Sequence, residues 1–358
     1  MKHVIFLLFF AGSTVTHADS FQPSAQQTIT LTAPLPLTAQ MQQLTARTMA
    51  QPNDNDALNL AALYLAGSRQ PGFDAWFHQA QYWLSQVTEA NHNNIEYPLL
   101  QADILQQQHQ FAAALASLEP VFSRQPGHLT ASLMAARIYL ATAQHQSAQQ
   151  ACNRLWQRDL FLFSVCSYEV AGRSGQWQQS YQALQLLYQR QQNIPTQIDL
   201  WLRGILAEQA EQSGDIKAAT AWLTPVLAKA PTSLWLKWAD LSLALNQHHQ
   251  VYQRLLPKHQ QFGLADSLLV RLAVAEQQLA ADTGISAELA ERMQLRLIRG
   301  DTDHAADLAH YFLRVAPDPQ AALHWAELNY QSAKEPDDIA LLRQSKRALT
   351  YQQGIPNE

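Results

Sequence analysis

Charge is scarce in this chain, and so are glycine and cysteine. Asp, Glu, Lys and Arg make up only 15% of 358 residues. The formal charge is −5, so the basic face that a general nucleic-acid binder needs is missing. Twelve glycines are too few for barrels or phosphate-cradling loops, and no Walker or dinucleotide loop appears. Two cysteines make no CxxC motif, and no Cys/His group has zinc spacing. The histidines form no HxxxH pair, and adjacent His248 and His249 diverge by about 100° on a helix. No GxSxG or related motif organises a nucleophile. These absences leave no catalytic residues, no metal site and no cofactor to nominate. Past the N-terminus, no stretch free of charge or Gln reaches the length of a membrane span. What the chain has is 47% hydrophobic residues, which excludes wholesale disorder.

Those hydrophobic residues repeat. Ala102 and Ala114 are followed 34 positions later by Ala136 and Ala148. At the same offset Leu105 is followed by Tyr139, Leu118 by Cys152 and Val121 by Leu155. Such a period marks stacked repeats. Within residues 96–160 each copy reads as two amphipathic helices around a polar turn, with apolar spacings of three and four. Alanine at fixed sites lets one helix approach another closely. A single pair cannot bury its apolar face alone, so its neighbours must stack on it.

This pattern resembles the tetratricopeptide repeat (TPR) family: a small residue in helix one, a large one a turn later, an alanine in helix two and a proline beyond. Ala102, Leu105, Ala114 and Pro126 fit it, then Ala136, Tyr139 and Ala148; Leu160 stands where the second proline would be. The resemblance covers residues 54–352 and implies an all-α, right-handed α-solenoid of TPR-like helix-turn-helix repeats, seven or eight pairs long.

Residues 1–18 read as a cleaved secretory signal. Lys2 and His3 start it, Val4 to Ala11 form its apolar run, and Thr16-His17-Ala18 is its cleavage site. The expected location is a periplasm, with full secretion as the alternative. Residues 19–37 follow as a Gln-, Thr- and Pro-rich leader. The solenoid is expected over 38–352, with a tail at 353–358. Thr38 to Ala50 reads as a lone capping helix, and Asn53 or Asp54 caps the next. Gln70-Pro71-Gly72 inserts a loop in the first repeat. In 162–192, Gly175 is expected in the turn, which puts Ser180 at the alanine site. Ser286 to Pro317 reads as a pair turning at Gly300, which leaves Leu268 to Ala281 without a partner. Trp83, Trp156, Trp177 and Trp222 read as core residues.

The resemblance also directs attention to one row. The residue after each small site in helix one is Asp103, Arg137, Glu169, Glu208, Asp240, Gln294 and Glu327. In proteins resembling this family that row faces the concave groove where peptides bind. Arg173, Trp201 and Glu211 are neighbouring candidates. An acidic row would attract a cationic partner and raise its encounter rate; for any single residue an ordinary solvated helix face is the simpler explanation. Cys152 and Cys166 lie seven residues either side of Asp159, at similar height on antiparallel helices. A disulfide, or two buried thiols that point apart, fits that placement. The functional expectation is a noncatalytic scaffold for a protein or peptide in the cell envelope. The alternative is a subunit of a glycan synthesis or export apparatus, with the glycan as partner.

Overall fold

A computed structural model describes residues 35–353. The expected signal, nearly all of the leader and the tail beyond Gln353 lie outside that range. The described residues form eighteen α-helices and two short 3-10 turns, with no strand among them. Helix α1 (Ala39–Ala50) caps the start, and its Thr38 side chain accepts the Met41 N–H. Eight helix pairs follow. They are α2 (Asp54–Ser68) with α3 (Trp76–Ser85), α4 (Glu96–Gln107) with α5 (Phe111–Arg124), α6 (Leu129–Ala141) with α7 (His145–Asn153), and α8 (Leu160–Arg173) with α9 (Trp177–Arg190). Then come α10 (Thr196–Gln212) with α11 (Ile216–Leu223), α12 (Thr232–Ala244) with α13 (His248–Phe262), α14 (Asp266–Gln278) with α15 (Ile285–Arg299), and α16 (Ala305–Arg314) with α17 (Pro319–Ser332). Helix α18 (Pro336–Gln352) ends the stack.

First helices also pack on first helices, from α2 through α10 and from α12 through α18, which makes an inner layer of the solenoid. The alanines of the 34-residue pattern are buried in both layers, Ala102 and Ala136 on the first helices α4 and α6, and Ala114 and Ala148 on the second helices α5 and α7. Ala102, Ala114, Ala136 and Ala148 are at most 2% exposed, and a longer side chain at any of them would hold the helices apart. Asn53, Asp159, Asp215 and Asp318 cap helices through their side chains, each accepting an otherwise unpaired first-turn amide. Cys152 on α7 and Cys166 on α8 are joined in a disulfide, with Cα atoms 5.6 Å apart.

The turns inside six of the eight pairs, from α4–α5 to α14–α15, share a backbone signature. A residue in the left-handed region ends the first helix at His109, Ala143, Gly175, Gly214, Asn246 and Ala280. Gly175, φ 103°, lies in the turn and Ser180 is buried behind it. The same signature corrects the expected phase near the C-terminus. The turn inside a pair falls at Ala280, so Leu268 to Ala281 does have a partner, α15. Gly300, φ 59°, ends a second helix instead. A glycine that terminates a helix looks the same in sequence at either junction. Gln294 and Glu327 therefore lie on second helices, outside the inner row.

Two contacts join distant repeats. The Arg69 carbonyl accepts the Thr232 N–H at 2.6 Å and its hydroxyl at 3.0 Å, while Phe73 packs against Phe262 with ring centres 5.0 Å apart. The Lys334 N–H donates to the Ala141 carbonyl at 2.9 Å. The Pro71 loop thus ties the first pair to the sixth, and the α17–α18 junction reaches back to the third.

Candidate functional site

The inner row is built by register. Asp103, Arg137, Glu169, Glu208 and Asp240 each stand six residues before the left-handed residue of their own helix. The same turn geometry places all five alike. Arg173 and Glu211 lie about one turn further along their helices, on the same stripe. Glu327, on α17, is exposed and belongs to the other layer.

Asp103, Glu208 and Asp240 of the row are already paired, as is neighbouring Glu211. Arg69 donates to both oxygens of Asp103, at 2.5 and 2.6 Å. Arg173 grips Glu208 with Nε and Nη2, at 2.9 and 2.8 Å. Lys237 binds Glu211 at 2.7 Å. Asp240 takes Arg271 at 2.7 Å and Arg314 at 2.7 Å. Burial opposes charge on Asp240, but the two guanidiniums outweigh it and hold the carboxyl far below its ordinary range. Glu169 is different: burial pushes its carboxyl up, against the pull of Arg173 and Arg137. The expected attraction of a cation by five acids therefore needs correction, because Asp103, Glu208 and Asp240 are ion-paired within the chain, Glu169 is buried, and Glu327 is not on the row. Arg137 is exposed and makes no ion pair among the described residues. Trp201 is half-buried against the core between α8 and α10, with its indole beside the Glu169 carboxyl.

Several partners in this face were not foreseen. Lys237 lies three residues before Asp240, and Arg271 occupies the corresponding position on α14. Following the stripe one turn back would have reached both. Glu335 and Asp337 arrive from the far end of the chain: Arg173 Nη1 binds Glu335 at 2.9 Å and Lys237 binds Asp337. Sequence pattern carries no signal for that contact. Among the tryptophans, Trp83 is buried, while Trp235 and Trp238 are 3% and 0% exposed. Trp177 and Trp222 are half-buried, and Trp156 is 57% exposed, which corrects its expected place in the core. Trp156 sits in the turn between α7 and α8 and meets Phe163 edge to face.

A family model described as tetratricopeptide repeat matches residues 105–160. That stretch runs from the end of α4 to the start of α8. Those residues carry the tetratricopeptide-repeat pattern. No curated protein matches it. Among solved structures it is similar to a tetratricopeptide repeat protein from Parabacteroides merdae, at 14% identity and a TM-score of 0.44, over 70% of this chain and 90% of that one. It is similar also to a chain of the APC/C hetero-tetramer Cut9-Hcn1, at 14% identity and a TM-score of 0.37, over 86% of this chain and 67% of the other. A third similar structure is the P58(IPK) TPR domain, at 13% identity and a TM-score of 0.22, over 88% and 98% of the two chains.

The stacked first helices present side chains on an inner layer, and that is the chemistry this face offers. Among the described residues no group of three or more His, Cys, Asp or Glu is placed to hold a metal. No described helix is long and apolar enough to cross a membrane. The inner face can form charge-assisted hydrogen bonds to a partner from fixed positions, at little cost in ordering.

Proposed function

We propose that this chain is a noncatalytic protein-binding scaffold of the cell envelope, which holds a peptide or partner segment on the inner face of its first helices. One observation carries the reading. The repeated turn geometry brings Asp103, Arg137, Glu169, Glu208 and Asp240 into one register, and Arg137 stays exposed on that row without an ion pair among the described residues. A surface fixed at equivalent positions on successive helices suits recognition of an extended or helical segment. The envelope location is supported by the sequence of residues 1–18 and by the Cys152–Cys166 bond, since disulfides persist in oxidising compartments.

The test is site-specific photocrosslinking in cells. A photoreactive residue replaces Arg137 on the inner row or Leu186 on α9, which is 53% exposed on a second helix. The proposal expects a discrete protein adduct from the envelope fraction at 137 and none at 186. Adducts at 186 alone would move the site to the outer layer. Adducts only with cytoplasmic proteins would overturn the location.

A further inference from the structure

The inner face of this solenoid is not empty. The junction of α17 and α18, residues 333–338, lies against the ends of α6 and α8 and the flank of α12. It makes three kinds of contact there. The Lys334 N–H reaches the Ala141 carbonyl, one of the C-terminal carbonyls that a helix cannot satisfy by itself. Glu335 meets Arg173, and Asp337 meets Lys237.

The two sides of these ion pairs differ in burial. The Arg173 and Lys237 side chains are each 12% exposed, whereas Glu335 is 47% and Asp337 66% exposed. The cations belong to the wall. Glu208 holds Arg173 through two hydrogen bonds, and Glu211 holds Lys237, so both stay in position without Glu335 or Asp337. Arg173 Nη1 remains directed outward, since Nε and Nη2 serve Glu208. Arg137 stands by, exposed, and its positive charge acts on Glu335. The acids ride on top, in water, and can be exchanged for others at small cost. Two recessed cations held in place, with the exposed Arg137 beside them, form a reader of carboxylates that is largely preorganised.

We propose that residues 334–338 are an internal occupant of a carboxylate-reading site made by Arg137, Arg173 and Lys237, and that an acidic segment of a partner protein takes their place. This rests on the reading of the inner face as the binding surface and gives it a ligand chemistry: two carboxylates spaced two residues apart, as in Glu335-Pro336-Asp337, with a free backbone N–H beside them. The chain's own turn then competes with the partner and sets the threshold for binding. Residues 336–338 are the first turn of α18, where Glu335 and Asp338 close a capping box, while buried Leu341 and Ser345 anchor the rest of the helix, so release of the turn frays the start of α18 and leaves its body in place.

The test uses a fluorescein-labelled peptide that copies residues 333–339, with a control in which the Glu and both Asp become amides. Glu335→Gln/Asp337→Asn in the full chain weakens the internal occupant and leaves the wall intact. This variant is expected to bind the acidic peptide at least tenfold tighter than the native chain, to ignore the amide control, and to lose binding when Arg173→Gln is added. Equal binding of both peptides, or no binding by the opened variant with its helical circular dichroism intact, would overturn the proposal. If the variant loses its helical signal, the acidic peptide is titrated into the native chain and hydrogen exchange is followed at 333–340. Faster exchange there supports displacement; unchanged exchange at the highest peptide concentration refutes it. Failure here with an adduct at residue 137 would reject the acidic ligand alone, whereas absence of that adduct would reject the inner face as a binding surface.

Discussion

The repeats from Leu99 to Val170 and those from Leu200 to Leu341 solve the same packing problem with different side chains. The earlier core is alanine and aliphatic, cross-braced by the Cys152–Cys166 bond. The later core takes in Trp235 and Trp238 and encloses charge. There Asp240 joins Arg271 and Arg314, Asp266 joins Arg292 and Arg296, and the Glu276 carboxylate accepts the amides of Thr283, Ile285 and Ser286. A small residue needs no partner to tolerate burial, but a buried charge does. The earlier region therefore depends on the absence of side chain at a few sites. The later one depends on every member of its polar network being present.

The contrast can be broken most sharply at Asp240. Its removal by Asp240→Ala leaves Arg271 buried without its counter-ion, which costs roughly 3–5 kcal/mol. In a solenoid each repeat contacts mainly its neighbours, so the damage is local. Hydrogen exchange should rise in α12 to α16 while α4 to α7 keep their protection. Equal loosening of both regions would show that the network is not a local support. In the earlier region the largest expected effect is loss of the crosslink. Cys152→Ser/Cys166→Ser opens a loop of 14-residue separation, worth about 3 kcal/mol. Protection should then fall in α6 to α8 and hold in α14 to α16.

The two regions should also differ in their response to acid. Burial opposes the Glu276 charge, but its hydroxyl and amide donors outweigh that and hold the carboxyl at about 2. The unfolded chain takes up this proton first, near 4.5. The stabilisation is complete above that pH and is lost as pH falls towards 2, a change of roughly 2–3 kcal/mol. Glu276→Gln should flatten this part of the acid limb of unfolding. An identical acid limb in variant and native chain would remove Glu276 as a cause.

How much of this was legible in the sequence follows from the same contrast. The alanine period is a local pattern, so the helix pairs between Glu96 and Leu160 could be read from spacing alone. Asp103, Arg137, Glu169, Glu208 and Asp240 could be placed on a row for the same reason. Their pairing could not. Arg69 comes from another repeat, Arg314 from a helix 74 positions beyond Asp240, and Glu335 from 162 positions beyond Arg173. A one-dimensional pattern holds no record of which distant charge returns to a face. Trp156 was misplaced because helical spacing was extended through the turn between α7 and α8, where the side chain points to water.

The smallest expected effect concerns the phase of the repeats. Gly175 and Gly214 mark two turns openly; Ala143 and Ala280 hide two others, because alanine there adopts a backbone that favours glycine. An L-residue in the left-handed region costs roughly 1–2 kcal/mol, while glycine loses roughly 0.5–1 kcal/mol more chain entropy on folding. The difference leaves Ala143→Gly and Ala280→Gly stabilising by about 0.5–1 kcal/mol. Both alanines are exposed, so no packing is lost with the methyl group. The reverse change, Gly175→Ala, places its Cβ in open space and should cost a similar amount through the backbone alone. Thermal midpoints would check the set, with Asn246→Gly near zero because asparagine tolerates this conformation. Stabilisation at Ala143 and Ala280 together would fix α14 as a first helix by energy as well as by geometry. A loss at Ala280 alone would mean that the turn there is held by something other than its backbone angles.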